Sequence, residues 1–130
     1  MKTRIYLASP YSARLKDGTP DETTMHLRFL QVCAMAGNII ADGYVVFCPI
    51  AHSVPIADTM DNHLDADFWL GQDVHFVDWA EELWVLMLPG WEESSGVKRE
   101  IALAEEKRKP VLFISMNAYD HVKEVAHAMD

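Results

Sequence analysis

Apolar residues along this chain fall into two patterns, short continuous runs and longer stretches in which they recur at helical spacing. The continuous runs are typical of strands buried on both faces, and they cover residues 3–8, 44–47, 83–88 and 110–114. The periodic stretches predict helices over residues 23–42, 62–80, 96–107 and 119–129. Polar segments that contain glycine or proline predict loops over residues 14–22 and 50–61.

The alternation of strand and helix predicts the fold class, because this order favours a parallel sheet with helices on both faces. We therefore predict one α/β domain over residues 1–130, a flavodoxin-like three-layer sandwich around a parallel sheet of four to five strands. Ligands of such sheets bind outside the carboxyl ends of the strands. The unusual side chains gathered at these ends are Tyr11, Ser12, His52, Trp91, Ser94, Ser95 and Glu100.

The segment over residues 81–106 combines a strand, a tight loop and a helix. Ser94 and Ser95 are suitable N-caps for this helix, and Gly96 lets a ligand approach the backbone. Glu100 falls in the first turns, where free N–H groups attract anions and keep a carboxylate ionised. Two interpretations stay open, a ligand site that includes Glu100 or a glutamate that only interacts with the helix dipole.

Composition narrows the classes of function. A net charge of −9 argues against binding of a nucleic-acid polymer, which requires a basic surface, but it allows a nucleotide in a pocket. Cys33 and Cys48 are too few for a disulfide scaffold, so reduced thiols in a cytoplasmic protein are expected. The sequence has neither a signal-peptide pattern nor an apolar run of membrane-spanning length, so no membrane partner is expected.

Several common catalytic motifs are absent from the sequence. The first strand is followed by no glycine-rich turn, and the chain has no Walker lysine loop and no G-x-S-x-G elbow. A zinc site made by His52, His63 and His75 is a possible reading, but their spacing matches no short metal motif. Surface or internally satisfied histidines are the alternative.

Paired carboxylates indicate a catalytic site more specifically than the histidines do. Asp73 and Asp78 lie on the helix before the third strand, and Glu100 lies on the helix after it. Cleavage at an anomeric carbon uses one ionised carboxylate to attack or stabilise the carbon and a second group to move the proton. The alternative for Asp73 is a solvent-facing helical acid.

Three segments resemble the nucleoside 2-deoxyribosyltransferase-like superfamily: the opening IYLASPYS, the acidic helix DVHFVDWAEEL, and the later SSGVKREIALA. The chain is most similar to a bacterial and phage branch with a YLASPYS opening and a PGW-x-x-S-x-G loop. The resemblance extends over nearly the whole chain. It implies a relationship to 2′-deoxynucleoside 5′-monophosphate N-glycosidases.

The resemblance also implies roles for individual residues. Glu100 matches the nucleophile that takes C1′ of the sugar and releases the base, and Asp73 matches the aspartate that holds the sugar and assists proton transfer. Tyr6 matches a tyrosine near the sugar. Ser94 matches the serine that binds the 5′-phosphate, and Gly96 the first glycine of a G-V-G motif.

Three departures from the family pattern bear on the substrate. Lys98 replaces the second glycine of G-V-G, and Ser9-Pro10 replaces a Gly-Ser pair at the end of the first strand. Part of the phosphate site is therefore missing, and the residues that could replace it are Tyr11, Ser12, Lys98 and Arg99. Trp91 lies in an inserted Pro-Gly-Trp loop, where it would stack on a base or anchor the loop.

The resulting expectation is an N-glycosidase that acts on a nucleoside or nucleoside 5′-monophosphate, as a hydrolase or a base-exchange transferase. The resemblance implies no metal or organic cofactor and a homo-oligomer. The predicted catalytic residues are Glu100, Asp73 and Tyr6, and the predicted substrate-binding residues are Ser9, Tyr11, Ser12, His52, Trp91, Ser94, Ser95, Gly96 and Lys98. The alternatives are a nucleotide-binding module without catalysis, in which a salt bridge with Lys98 or Arg99 weakens Glu100, and a metal-dependent phosphohydrolase that uses His52.

Overall fold

The computed structural model describes residues 2–61 and 64–117 of the chain. Its sheet has four strands, β1 (Arg4–Ala8), β2 (Val45–Phe47), β3 (Glu82–Leu86) and β4 (Val111–Ile114). The spatial order is β2-β1-β3-β4, and each neighbouring pair is parallel. The predicted α/β fold of the flavodoxin-like, three-layer type is therefore confirmed.

Helices cover both faces of the sheet. They are α1 (Glu22–Ala41), α2 (Pro49–Ala57), α3 (Ala66–Trp79) and α4 (Ser95–Glu106), and a 3₁₀ turn at Trp91–Glu93 precedes α4. In β1, Ile5 and Leu7 pack in a core that includes α1, whereas Tyr6 and Ala8 pack in a second core that includes α3 and α4. This alternation follows from the two-residue period of a strand, and it directs Tyr6 toward the helix that carries Glu100.

One predicted loop is helical, so that prediction is wrong. Residues 50–61 were expected to form a loop, but α2 spans Pro49–Ala57. Pro49 is the first residue of this helix, where a missing N–H costs little and the fixed φ favours helical backbone. Pro55 lies near the carboxyl end, so it interrupts few intrahelical hydrogen bonds.

Other predicted boundaries shift by a few residues. Helix α3 begins at Ala66 rather than at residue 62, because the Asp65 side chain caps it by accepting a hydrogen bond from the Phe68 N–H at 2.9 Å. Strand β3 ends at Leu86 rather than at residue 88, since the Leu88 N–H turns back to the Leu86 carbonyl. The helix predicted over residues 119–129 lies outside the described residues, as do residues 62 and 63.

The far end of α3 is tied to the rest of the domain, which fixes the helix that carries Asp73. The Lys109 ammonium donates to the carbonyl oxygens of Val77 at 3.0 Å and Ala80 at 2.5 Å, and also to that of Asp78. Cations at a helix carboxyl end also interact favourably with its dipole. Among the described residues, no helix is both long and apolar enough to cross a lipid bilayer.

Candidate active site

A cavity of about 780 Å³ opens at the carboxyl edge of the sheet. Its walls come from the segment after β1, from α2, from the first half of α3, and from the loop and first turns of α4. This is the place where open parallel sheets bind ligands, because loops from neighbouring strands converge there. The volume falls in the range of small-molecule sites.

Glu100 forms part of the cavity wall although it is only 7% exposed. It is the sixth residue of α4 and lies on one stripe with Val97 and Ala104, the buried positions of that helix. The Ser94 side chain caps α4 by accepting a hydrogen bond from the Val97 N–H at 3.2 Å. The helical period, counted from this cap, therefore turns a glutamate toward the core.

Tyr6 supports Glu100 from beneath the cavity. Its hydroxyl, fully buried in β1, donates a hydrogen bond to Oε2 of Glu100. Burial raises the pKa of the Tyr6 phenol well above its usual value, and the negative charges of Glu100 and Asp73 raise it further. The phenol therefore remains protonated and acts as a hydrogen-bond donor.

Burial, more than any other effect, raises the pKa of Glu100 to about 8; the negative charge of Asp73 raises it further, whereas the hydrogen bond from Tyr6 lowers it. The expectation that the helix N-terminus keeps Glu100 ionised is therefore wrong. At neutral pH the free carboxyl is largely protonated, because the effect of burial outweighs that of the hydrogen bond from Tyr6.

Asp73 is the second carboxyl group of the site. It lies on α3 one helical turn before Val77, it is 8% exposed, and it lines the cavity. Burial raises its pKa to about 6. Two titrating carboxyl groups whose charges interact in a buried site are typical of proton-transfer chemistry.

The cavity also contains positive charge. Arg14 and Arg99 both line it. Arg99 is ion-paired with Asp67, an exposed residue in the first turn of α3. Arg99 was one of the predicted replacements for the missing phosphate contacts, whereas Arg14 was assigned only to a polar loop and was missed.

Most predicted site residues meet at the cavity. Tyr6 contacts Glu100, and the residues that line the cavity are Ser9, Tyr11, Ser12, Asp73, Ser94, Ser95, Gly96 and Glu100. They converge because β1 and β3 are neighbours, which brings the segments that follow them together. The roles of these residues in catalysis or binding stay predictions.

Three of the predicted substrate-binding residues do not line the cavity. Trp91 packs against Phe113 at a ring distance of 5.4 Å and belongs to the core beneath α4, so it anchors the loop. His52 lies on α2 with its ring 5.3 Å from that of Phe47. Lys98 is exposed, since it follows the buried Val97 on α4 and therefore points away from the core.

Sequence reasoning also missed a tryptophan at the site. Trp69 and Leu70 line the cavity from α3, and Ile50 and Val54 from α2. The helical period places Trp69 one turn before Asp73, so an inward orientation of Asp73, which the sequence left open, would have indicated Trp69 as well. The wrong assignment of α2 as a loop concealed the apolar wall that it provides.

Arg28 joins two loops at the cavity edge, and no motif indicated it. From α1, its Nη1 donates to the carbonyl oxygens of Tyr11 at 3.3 Å and Ser12 at 2.8 Å, and its Nη2 donates to that of Pro89 at 2.8 Å. One guanidinium thus fixes the segment after β1 relative to the loop after β3. The planar fork of arginine suits such a bridge.

Within residues 2–61 and 64–117, no three His, Cys, Asp or Glu side chains are grouped so that they could hold a metal ion. His63, which the zinc interpretation requires, lies outside the described residues.

A comparison with curated proteins finds no match. The sequence model of one family, a domain of unknown function called DUF1937, matches residues 3–116. The match includes Tyr6, Asp73 and Glu100 and extends over all four strands. The chain therefore belongs to the DUF1937 family.

Proposed function

We propose that this protein is an N-glycosidase that cleaves the bond between base and sugar in a nucleoside or nucleoside 5′-monophosphate. The observation that carries the proposal is the environment of Glu100, a buried carboxyl group on a cavity wall that accepts a hydrogen bond from Tyr6 and interacts with the charge of Asp73. Retaining glycosidases use two carboxyl groups in this way. The resemblance to nucleoside 2-deoxyribosyltransferases supports the same reaction.

Glu100 would act as the nucleophile. One of its oxygens bonds to C1′ as the C1′–N bond breaks, and the electron pair of that bond goes to the leaving base, which takes a proton from Asp73. Water then attacks C1′ and gives a proton to Asp73, while the ester bond breaks and returns its electron pair to Glu100. A second base in place of water would make the enzyme a transferase.

Tyr6 would stabilise the reactive state of the site, in which Glu100 is ionised and Asp73 is protonated. Between about pH 6 and pH 8 the site holds one proton, and its two carboxyl groups titrate as a coupled pair. Attack requires the proton on Asp73 and the charge on Glu100. A hydrogen bond from Tyr6 favours that arrangement, because it stabilises the ionised form of Glu100.

The cationic side chains support a phosphorylated substrate. Arg14 and Arg99 line the same cavity as the Ser94 side chain at the start of α4. Guanidinium groups and helix N-termini both bind phosphate. We therefore propose that a nucleoside 5′-monophosphate is preferred to the free nucleoside.

The test is incubation with ribo- and deoxyribonucleosides and their 5′-monophosphates, with free base measured by chromatography. The wild-type protein should release base from at least one member, and Glu100→Ala and Glu100→Gln should release none while staying folded. Glu105→Gln is the matched control, since Glu105 is an exposed glutamate on the same helix. An active Glu100→Ala protein would refute the mechanism. Repeating the assay with a second free base separates transferase from hydrolase.

A binding module without catalysis is the second candidate, and the pKa of about 8 for Glu100 favours it, because a protonated carboxyl is a poor nucleophile. The salt bridge first considered for this alternative is absent from the described part of the chain, where Arg99 pairs with Asp67. Thermal stabilisation by a nucleotide without release of base would favour the module. Among the described residues, no group of metal ligands supports a metal-dependent phosphohydrolase.

We further propose that the protein acts in the cytoplasm, since its two cysteines are too few for a disulfide scaffold, and, on the resemblance alone, that it is a homo-oligomer. Sedimentation velocity of the purified chain tests the oligomer. A monomer across the micromolar range would contradict it.

A further inference from the structure

The cavity has an apolar side, which α2 and α3 form together. Most of the α2 residues that line it are apolar, namely Pro49, Ile50, Val54 and Ala57, and the exception is Ser53. From α3, Trp69 and Leu70 line the same side, and the Trp69 side chain is half-buried. A partly exposed indole beside an apolar wall favours a flat ring as its ligand, because two ring faces that stack are both removed from water.

The face of α3 that bears Trp69 is turned toward α2. Phe76 follows Trp69 by seven residues, which is about two turns, so both side chains lie on one face of the helix. The Phe76 ring stacks on that of Phe47, the last residue of β2, with ring centroids 3.8 Å apart, and it lies 6.1 Å from the ring of His52 in α2. The shared face therefore directs Trp69 toward the apolar wall.

The cationic side of the cavity lies in another direction. Asp67 precedes Trp69 by two residues, which is about 200° around the helix, and it is ion-paired with Arg99 of α4. Asp73 follows Trp69 by one turn on the same face, so a base stacked on Trp69 would lie next to the group that is proposed to protonate it. A nucleotide would thus place its base at α2 and its phosphate at α4.

We propose that Trp69 stacks on the base of the substrate and that the cavity selects purine nucleotides over pyrimidine nucleotides. This inference rests on the proposed function. A purine has two fused rings and covers an indole more fully than the single ring of a pyrimidine, so it gains more from stacking. The wall that α2 contributes offers only the Ser53 hydroxyl as a polar side-chain group, so adenine and guanine should bind about equally.

The test uses Glu100→Gln protein, to prevent turnover, with the ribo- and 2′-deoxyribonucleoside 5′-monophosphates of purines and pyrimidines. Isothermal titration measures the affinities. Quenching of tryptophan fluorescence by a stacked base is the second readout, because the structure describes all four tryptophans and only Trp69 lines the cavity. Trp69→Leu removes the aromatic ring, and Trp69→Phe keeps a smaller one. Trp91→Phe is the matched control, since Trp91 packs against Phe113.

We expect the Glu100→Gln protein to bind purine nucleotides about tenfold more tightly than pyrimidine nucleotides with the same sugar, and adenine and guanine nucleotides to agree within about threefold. Trp69→Leu should weaken purine binding about tenfold and abolish most of the preference. Trp69→Phe should retain part of the preference but lose most of the quenching. Trp91→Phe should retain both.

Equal or tighter binding of pyrimidine nucleotides would overturn the inference, as would a purine preference or a quenching that persists in Trp69→Leu. Release of base by the wild-type protein with such a result would leave the proposed function intact. A purine preference that depends on Trp69, without any release of base, would retain the stacking site and refute the glycosidase. Failure to bind any of these nucleotides would refute both.

Discussion

At the scale of the residue, the proposed reaction depends on one glutamate in an apolar position. The buried positions of α4 are Val97, Glu100 and Ala104. A carboxyl group therefore occupies a position at which an apolar side chain would be expected. Burial of that group is unfavourable unless it is neutral or hydrogen-bonded. Tyr6 provides a hydrogen bond. The pKa of Glu100 is still raised, which shows that this bond offsets only part of the free energy needed to bury the ionised carboxylate.

This cost predicts how stability depends on pH. The pKa of Glu100 is about 8 in the folded protein and about 4.3 in an unfolded chain, so the folded state binds the proton more tightly. Its stabilising contribution is complete below pH 4.3 and is lost as the pH rises to 8. The Tm of the wild type should therefore fall from pH 5 to pH 8 by about 5 °C or more relative to Glu100→Gln. If the Tm of the wild type and that of Glu100→Gln changed equally with pH, the raised pKa of a buried Glu100 would be contradicted.

The coupled carboxyl groups predict a bell-shaped dependence of kcat/KM on pH. The reactive state holds one proton, so the rate should fall below about pH 6, where Glu100 and Asp73 are both protonated, and above about pH 8, where both are ionised. Initial rates of base release in buffers of constant ionic strength measure the profile. A rate that is flat between pH 5 and pH 9 would contradict the assignment.

Replacing Tyr6 by phenylalanine tests the hydrogen bond itself. The change removes a donor to the ionised Glu100 and raises the pKa of Glu100 further. At pH 7 we expect kcat to fall about 10- to 100-fold, the usual effect of losing a hydrogen bond to a charged group, and the basic limb of the profile to move upward. Tyr44→Phe is a control on the opposite face of the sheet. Wild-type kcat in Tyr6→Phe would show that the bond has no part in the reaction.

The resemblance to nucleoside 2-deoxyribosyltransferases was needed to bring Glu100, Asp73 and Tyr6 into one predicted site, because spacing alone left Asp73 open as a solvent-facing acid. It could not give their protonation, because pKa values depend on burial and on neighbours brought together by the fold. The same limit explains Trp91 and His52, whose chemistry suits ligand binding but whose rings pack against phenylalanines. Residue type indicates what a side chain can do, whereas tertiary contacts decide whether it faces a ligand.

At the scale of the element, the cavity depends on two loops held together by α1. Arg28 bonds to carbonyl groups in both loops, and Gly90 lies against its guanidinium group. Gly90 has φ +91°, and a Cβ there would lie 2.6 Å from Nη2 of Arg28. A side chain at this position is therefore unfavourable both for the backbone and for the bridge.

Gly90→Ala should destabilise the protein by about 1–2 kcal/mol and weaken ligand binding, because both the left-handed backbone and the Arg28 bridge are disturbed. Gly37→Ala is the matched control. Gly37 lies within α1, and a Cβ there meets nothing within 4 Å, so alanine should stabilise by about 0.5–1 kcal/mol. Urea unfolding measures both. A Gly90→Ala protein as stable as the wild type would refute the bridge.

Element prediction succeeded where apolar residues formed continuous runs or a clear helical period, and it failed at α2. The strands were recognised by their continuous apolar runs, and α1 by its helical period and the Asp21 cap, whereas α2 has nine residues and two prolines and was therefore assigned to a loop. That error had a consequence for the site, because α2 supplies an apolar wall of the cavity. Arg28 was missed for a related reason, since its partners are backbone carbonyls far away in the sequence.

At the scale of the whole molecule, a net charge of −9 surrounds a cavity that contains two arginines. An acidic protein repels a nucleotide at long range, so binding of a phosphate depends on local cations. Fold class was predictable at this scale because strand–helix alternation has few solutions. The distribution of charge around the cavity was not, since it depends on which face of α4 each residue occupies.

Arg99→Ala should lower the affinity for a 5′-monophosphate about tenfold and leave the affinity for the matching nucleoside unchanged, because the nucleoside has no phosphate for Arg99 to contact. The ion pair with Asp67 is lost as well, but Asp67 is exposed and remains solvated. Lys98→Ala is the control, since the neighbouring exposed cation does not line the cavity. Isothermal titration of both variants with the 5′-monophosphate and with the nucleoside measures these affinities. An equal effect of the two substitutions would indicate general attraction rather than a phosphate contact.

The central claim is that Glu100 forms a covalent bond to the sugar, and rapid acid quenching followed by tryptic digestion and mass spectrometry tests it most directly. Cleavage after Arg99 and Lys107 gives a peptide of residues 100–107 that contains Glu100. We expect one sugar unit on this peptide during turnover, located at Glu100, and none in Glu100→Gln or after the substrate is consumed. Release of base without a sugar on this peptide, or with the sugar on another residue, would contradict it.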